Sequence, residues 1–74
     1  NPETTIAYRL AGTGRVRLEL YNSRGEMVER LVVGLQNPGH YRVVWNAGGR
    51  AAGVYFCRLI SGAGTETRKM LLVR

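Results

Sequence analysis

Apolar and polar residues alternate with a period of two through much of this chain. Ile6, Tyr8 and Leu10 alternate with Thr5, Ala7 and Arg9, and Val16, Leu18 and Leu20 alternate with Arg15, Arg17 and Glu19. Tyr41, Val43 and Trp45 alternate in the same way with Arg42, Val44 and Asn46. Successive side chains of a strand point to opposite faces, so each segment predicts a strand with one face toward a core. The arginines then lie on the wet face. No long window keeps apolar residues at the helical spacing, so helices are not expected.

Turn chemistry punctuates these runs. Ala11-Gly12-Thr13-Gly14, Tyr21-Asn22-Ser23-Arg24-Gly25, Gln36-Asn37-Pro38-Gly39 and Ser61-Gly62-Ala63-Gly64 each contain glycine, which tolerates positive φ, and Pro38 sets its own negative φ. Residues 47–52 form a further glycine-containing loop. Between these breaks lie three more strands, at 27–35, 53–60 and about 65–73. The apolar run of 27–35 conceals its register. Six or seven short strands with frequent turns predict a single all-β domain over residues 1–74, a small antiparallel β-sandwich.

The last two strands carry more apolar surface than one core needs. Tyr55, Cys57 and Leu59 point one way, and Val54, Phe56 and Ile60 the other. Met70 and Leu72 oppose Leu71 and Val73 in the same manner. A two-layer sandwich covers only one face of each sheet. Strand twist and loops account for the second face under one reading. Under the other, Val54, Phe56 and Ile60 belong to an exposed apolar patch, or a strand edge, meant for a partner.

Composition narrows the function classes. At 74 residues the chain buries only about 60% of its unfolded surface, so good packing or a partner must supply stability. No apolar run reaches the roughly 20 residues of a membrane-spanning helix. The lack of an initiator Met and of a charged-then-apolar leader suggests a processed product or an excised piece of something longer. The net charge is +6, with arginine the dominant cation and no Asp present. This balance suits an acidic partner of several kinds.

Catalytic chemistry is hard to build from this inventory. No Ser-His-Asp arrangement exists without Asp. Cys57 and His40, the only residues of their types, fall in a strand and at a turn, and two such ligands do not hold zinc. Cys57 reads as a small core residue. Glu26 and Glu29 flank a turn and read as solvated charges. No catalytic residue, metal ligand or cofactor is expected. Nucleic acid is disfavoured because the arginines alternate with core positions on several strands, and neither Gly12-Thr13-Gly14 nor Gly48-Gly49-Arg50 matches a phosphate loop. Tyr55 and Trp45 are read as core residues, Tyr55 as one whose hydroxyl pins upstream backbone in the manner of a tyrosine corner.

An ordered series of short motifs runs the length of the chain: Asn1-Pro2 followed by Thr4-Thr5-Ile6, then Val16-Arg17-Leu18-Glu19-Leu20-Tyr21, Gly25 with Val28, Gly39-His40-Tyr41 leading to Trp45, Gly53-Val54-Tyr55-Phe56, and Lys69 before a final apolar strand. In this order and spacing the chain resembles the immunoglobulin-like domain shared by flagellar hook-capping proteins and by the C-terminal sorting domains of the type IX secretion system. The resemblance implies an immunoglobulin- or fibronectin-like sandwich on secreted or surface-displayed bacterial proteins. It also implies recognition by an outer-membrane secretion translocon or other envelope proteins. The matching positions are Gly39, Tyr41, Gly53, Tyr55 and Lys69, with Met70, Leu71, Leu72 and Val73. A second expectation, from the surplus apolar strand surface, is an extracellular filament subunit that self-associates through strand edges.

Overall fold

The computed structural model describes residues 3–73, so Asn1, Pro2 and Arg74, including the Asn-Pro motif, lie outside it. Six strands follow in order: β1 (Glu3–Leu10), β2 (Gly14–Asn22), β3 (Met27–Gln36), β4 (Gly39–Asn46), β5 (Gly53–Ser61) and β6 (Gly64–Leu72). No helix is present among the described residues. β1 and β4 form a two-stranded sheet, and the other four form a sheet in the order β3-β2-β5-β6, every pairing antiparallel. The predicted all-β, two-layer architecture is therefore observed, with six strands.

The alternation read from the sequence sets the core. Ile6, Tyr8 and Leu10 of β1 and Trp45 of β4 face Val16, Leu18 and Leu20 of β2, Tyr55 and Cys57 of β5, and Leu72 of β6. Across the small sheet Tyr8 lies directly opposite Tyr41, and the two rings stack with centroids 5.2 Å apart. Between the layers Trp45 meets Tyr55 edge-on at 5.3 Å, a favoured aromatic geometry.

Buried polar tips find partners. The Trp45 indole Nε1 donates to a Glu29 carboxylate oxygen at 3.1 Å, and the Tyr8 hydroxyl donates to Gln36 Oε1 at 2.7 Å. The Tyr55 hydroxyl donates to the carbonyl of Ala51 at 2.6 Å, pinning the loop that brings the chain back from the small sheet. This is the upstream backbone bond expected of Tyr55. Glu29 is exposed, as expected of a solvated charge, and its carboxylate also accepts the indole N–H. Glu26 also has partners, Asn22 at 2.9 Å and Arg24 at 3.9 Å.

β3 explains why its register was hidden. Its pairing with β2 slips twice: Leu18 and Glu19 oppose Val32 and Arg30, and Leu20 and Tyr21 oppose Glu29 and Met27. Leu31 and Val28 are the extra residues, and both pack against the core beside Val32. Such bulges break simple alternation and add twist to an edge strand. The opposite edge is protected differently. β6 turns Glu66 and Arg68 toward the layer that β1 only partly covers, and Arg68 Nη1 donates to the Ala7 carbonyl of β1 at 3.3 Å. Inward-pointing charge and a capped carbonyl both discourage a further strand from adding there.

Removing the Tyr55 hydroxyl should leave the fold intact but cost about 1–2 kcal/mol, since the Ala51 carbonyl loses its donor. Urea titration of Tyr55→Phe should show a lower midpoint with an unchanged slope. Trp45→Ala deletes the largest buried side chain, a loss of about 3–5 kcal/mol, and should leave the chain largely unfolded in buffer. A native-like midpoint for Trp45→Ala would contradict this account of the core.

Candidate functional site: the outer face of the four-stranded sheet

The two-stranded sheet covers one face of its larger partner and leaves the other open. Outward residues of neighbouring strands fall opposite one another in rows. One row is Val33, Arg17, Ile60 and Thr65; the next is Arg30, Glu19, Arg58 and Thr67; the third is Met27, Tyr21, Phe56 and Lys69, beyond which Val54 pairs with Leu71. A charged centre is thus bordered by two apolar strips. Val33, Leu35 and Leu71 are 63–70% exposed, which is unusual for aliphatic side chains grouped on one surface.

Glu19 organises the centre. It points outward, yet its side chain is only 4% exposed because its neighbours roof it over. One carboxylate oxygen accepts from the Tyr21 hydroxyl at 2.7 Å; the other accepts from Arg30 Nε at 3.1 Å and lies 3.6 Å from Arg17 Nη1. Arg58 stacks its guanidinium over the Tyr21 ring, 4.7 Å from the centroid. A single carboxylate therefore sits among three guanidinium groups, and Arg15 and Lys69 add charge at the margin. The surplus is positive, with Arg30 oriented by its hydrogen bond to Glu19 and Arg58 by its stacking on Tyr21.

The hydrogen bond from Tyr21, followed by the two arginines, holds the Glu19 carboxyl below its ordinary value of 4.5 against the opposing effect of burial. The same bond raises the Tyr21 phenol, because ionising it would set two anions together. Cys57 lies beneath this sheet on the core side. Burial raises its thiol, with Arg68 pulling weakly the other way.

The structure divides the positions singled out in the sequence. Lys69 and Leu71 join Val54, Phe56 and Ile60 on the outer face. Val54, Phe56 and Ile60 are half-buried by their neighbours, so the most exposed apolar groups of the face are Val33, Leu35 and Leu71. Tyr55 and Leu72 are buried and Met70 half-buried on the core side, where they support the sheet. Val73 is exposed just past β6. Gly39 and Gly53 start β4 and β5 with φ of 148° and 146°, a conformation that side-chain-bearing residues rarely adopt. Tyr41 belongs to the other sheet, where its hydroxyl donates to the Asn37 carbonyl. These two glycines and Tyr41 shape the crossings between layers and do not reach the outer face.

Sequence reasoning placed the arginines on a wet face but missed the roofed Glu19 and the cluster around it. The available signal was the spacing of Arg17, Glu19 and Tyr21, two apart on a single strand. Among the described residues no group of acidic, His or Cys side chains is arranged to hold a metal ion. Chemically, the arrangement offers fixed guanidinium donors for carboxylates and apolar strips for packing. No protein-family model matches the chain, and no curated protein or solved structure matches it significantly.

Two measurements test this geometry. A carboxyl held lower in the folded state contributes stability that is complete above its unfolded value, near 4.5, and is lost as pH falls through the folded value. Glu19→Gln should therefore be less stable than the parent at neutral pH, with the gap in urea midpoint closing as the solution is acidified. A pH-independent gap would contradict the ionised, roofed carboxylate. The Cys57 thiol should react with a soluble disulfide reagent only as fast as the domain opens, and fully in denaturant. Rapid reaction in the native state would show that the layer over Cys57 is open.

Proposed function

We propose that this chain is a non-catalytic sorting or anchoring domain. In this reading a bacterial outer-membrane secretion machinery recognises it, and proteins carrying it are secreted or displayed on the cell surface. The observation that carries the reading is the outer face of the four-stranded sheet, with its prearranged arginine cluster between apolar strips. Arginine, tyrosine, phenylalanine and methionine are the residues enriched where proteins meet, while Lys, Glu, Asp, Ser and Ala are depleted there. This face presents Arg17, Arg30, Arg58, Tyr21, Phe56 and Met27 with a single lysine and a single, already occupied, glutamate. The ordered motifs that resemble sorting domains support the same reading independently.

A filament subunit joined by strand addition is less well supported. β3 is bulged, and the gap between β1 and β6 holds inward charge with Arg68 on the Ala7 carbonyl. Stacking two copies by the open face would set one arginine cluster against another, a like-charge contact that costs free energy. The face therefore suits a different protein, one that presents carboxylates opposite the cluster.

The test is delivery of cargo. A secreted reporter fused ahead of this domain, expressed in a bacterium with a type IX system, should reach the surface or medium. Val33→Glu combined with Leu71→Glu alters two exposed positions and should leave thermal unfolding close to the parent's while reducing delivery severalfold. A parent fusion that stays in the periplasm would overturn the sorting reading. Undiminished delivery of the double variant would overturn the assignment of the face.

A further inference from the structure

The two sheets manage their cations in opposite ways. On the four-stranded sheet Glu19 neutralises part of the cluster. On the outer face of the two-stranded sheet the one described acidic residue, Glu3, lies at the far end of β1 opposite Asn46 and makes no ion pair. Arg9 lies directly across from His40, and Ala7 directly across from Arg42, so these four positions form a square on adjacent strands. Side chains directly opposite in such a ladder have Cβ atoms about 5 Å apart, and diagonal neighbours about 7–8 Å. Ala7, the one small residue of the square, leaves a shallow depression above the backbone of Tyr8 and Tyr41. Arg68 reaches over the edge of β1 to donate to the Ala7 carbonyl and closes the remaining side.

Three arginines and a histidine thus surround a small floor. Among the described residues no acidic side chain lies within ion-pair distance of Arg9, Arg42 or Arg68. Arg9 and Arg42 are diagonal neighbours across the strand pair, within reach of long side chains, and among the described residues no ion pair offsets their repulsion. A local conflict of this kind is expected where a bound partner supplies the compensation.

We infer that this depression binds a phosphate dianion, either free or as a monoester on a larger molecule. A carboxylate saturates one guanidinium fork, whereas a phosphate has enough acceptor oxygens and charge to engage several arginines from different sides. The inference stands on β1 and β4 with Arg68 of β6 reaching over their edge, and does not depend on the sorting reading, which rests on the outer face of the four-stranded sheet.

The test is a titration of the isotope-labelled chain near neutral pH, following amide and arginine side-chain resonances at constant ionic strength. Inorganic phosphate and glucose 6-phosphate are the two probes, with chloride as the control. Saturable shifts centred on Ala7, Arg9, His40, Arg42 and Arg68 are expected. Tighter binding of the sugar phosphate would assign a monoester, and equal binding the phosphate group itself; either supports the site. Arg42→Gln, an exposed change, should weaken binding by about tenfold or more through loss of a charge-assisted hydrogen bond. Ala7→Leu should block binding without altering any charge, by filling the floor. Non-saturating shifts spread equally over Arg15, Arg17 and Arg58 would overturn the inference, as would unchanged affinity in both variants.

Discussion

The inter-layer core is centred on the edge-on meeting of Trp45 with Tyr55. A two-stranded sheet is too narrow to shield a four-stranded one by area alone, so a few large side chains must fill the gap. Trp45 does so from β4, with its indole N–H satisfied by Glu29 on the edge of the opposing sheet. Tyr55 meets it from β5 and spends its hydroxyl on the Ala51 carbonyl, which fixes the return of the chain between layers. Apolar burial and polar satisfaction are thus achieved by the same two residues. In a domain this small, where little surface is buried for each residue ordered, that economy decides whether a stable core exists at all.

Covering one face of the large sheet obliges the protein to leave the other to solvent or to a partner. The outer face manages this with charge. Glu19 draws Arg17 and Arg30 inward, Tyr21 completes its coordination, and Arg58 lies on the Tyr21 ring. The cluster interrupts what would otherwise be one continuous apolar surface from Leu35 to Leu71 and splits it into two strips. It also gives the face a sign: three arginines surround a single carboxylate, so the net charge there is positive. The small sheet carries Arg9 and Arg42 on its outer face, and among the described residues neither makes an ion pair.

Much of this architecture was legible in the sequence because β1, β2 and β4 alternate cleanly. The positions of Ile6, Val16, Leu18 and Trp45 follow from a period of two, and Gly25, Gly39 and Gly53 mark where the chain turns. β3 was not legible in the same way. Its two bulges send Val28, Leu31 and Val32 to one side, a pattern with neither strand nor helix periodicity. The outer face was half legible: the alternation of β5 exposed the surplus of Val54, Phe56 and Ile60, but not that neighbours half-cover them. The burial of Glu19 was invisible, since it depends on Arg30 from another strand and on a register set by a bulge. The basic square around Ala7 required the pairing of β1 with β4, two strands far apart in the chain.

The central claim is that the open sheet face is kept for a different molecule and is not filled by a second copy. Light scattering of the purified chain at high concentration, with negative-stain microscopy of the same sample, tests it most directly. The account predicts a soluble monomer, because the arginine cluster repels its own image, β3 is bulged, and Arg68 occupies the Ala7 carbonyl on the edge of β1. Ordered polymers or a stable dimer of the isolated chain would contradict it and make self-assembly the function to pursue.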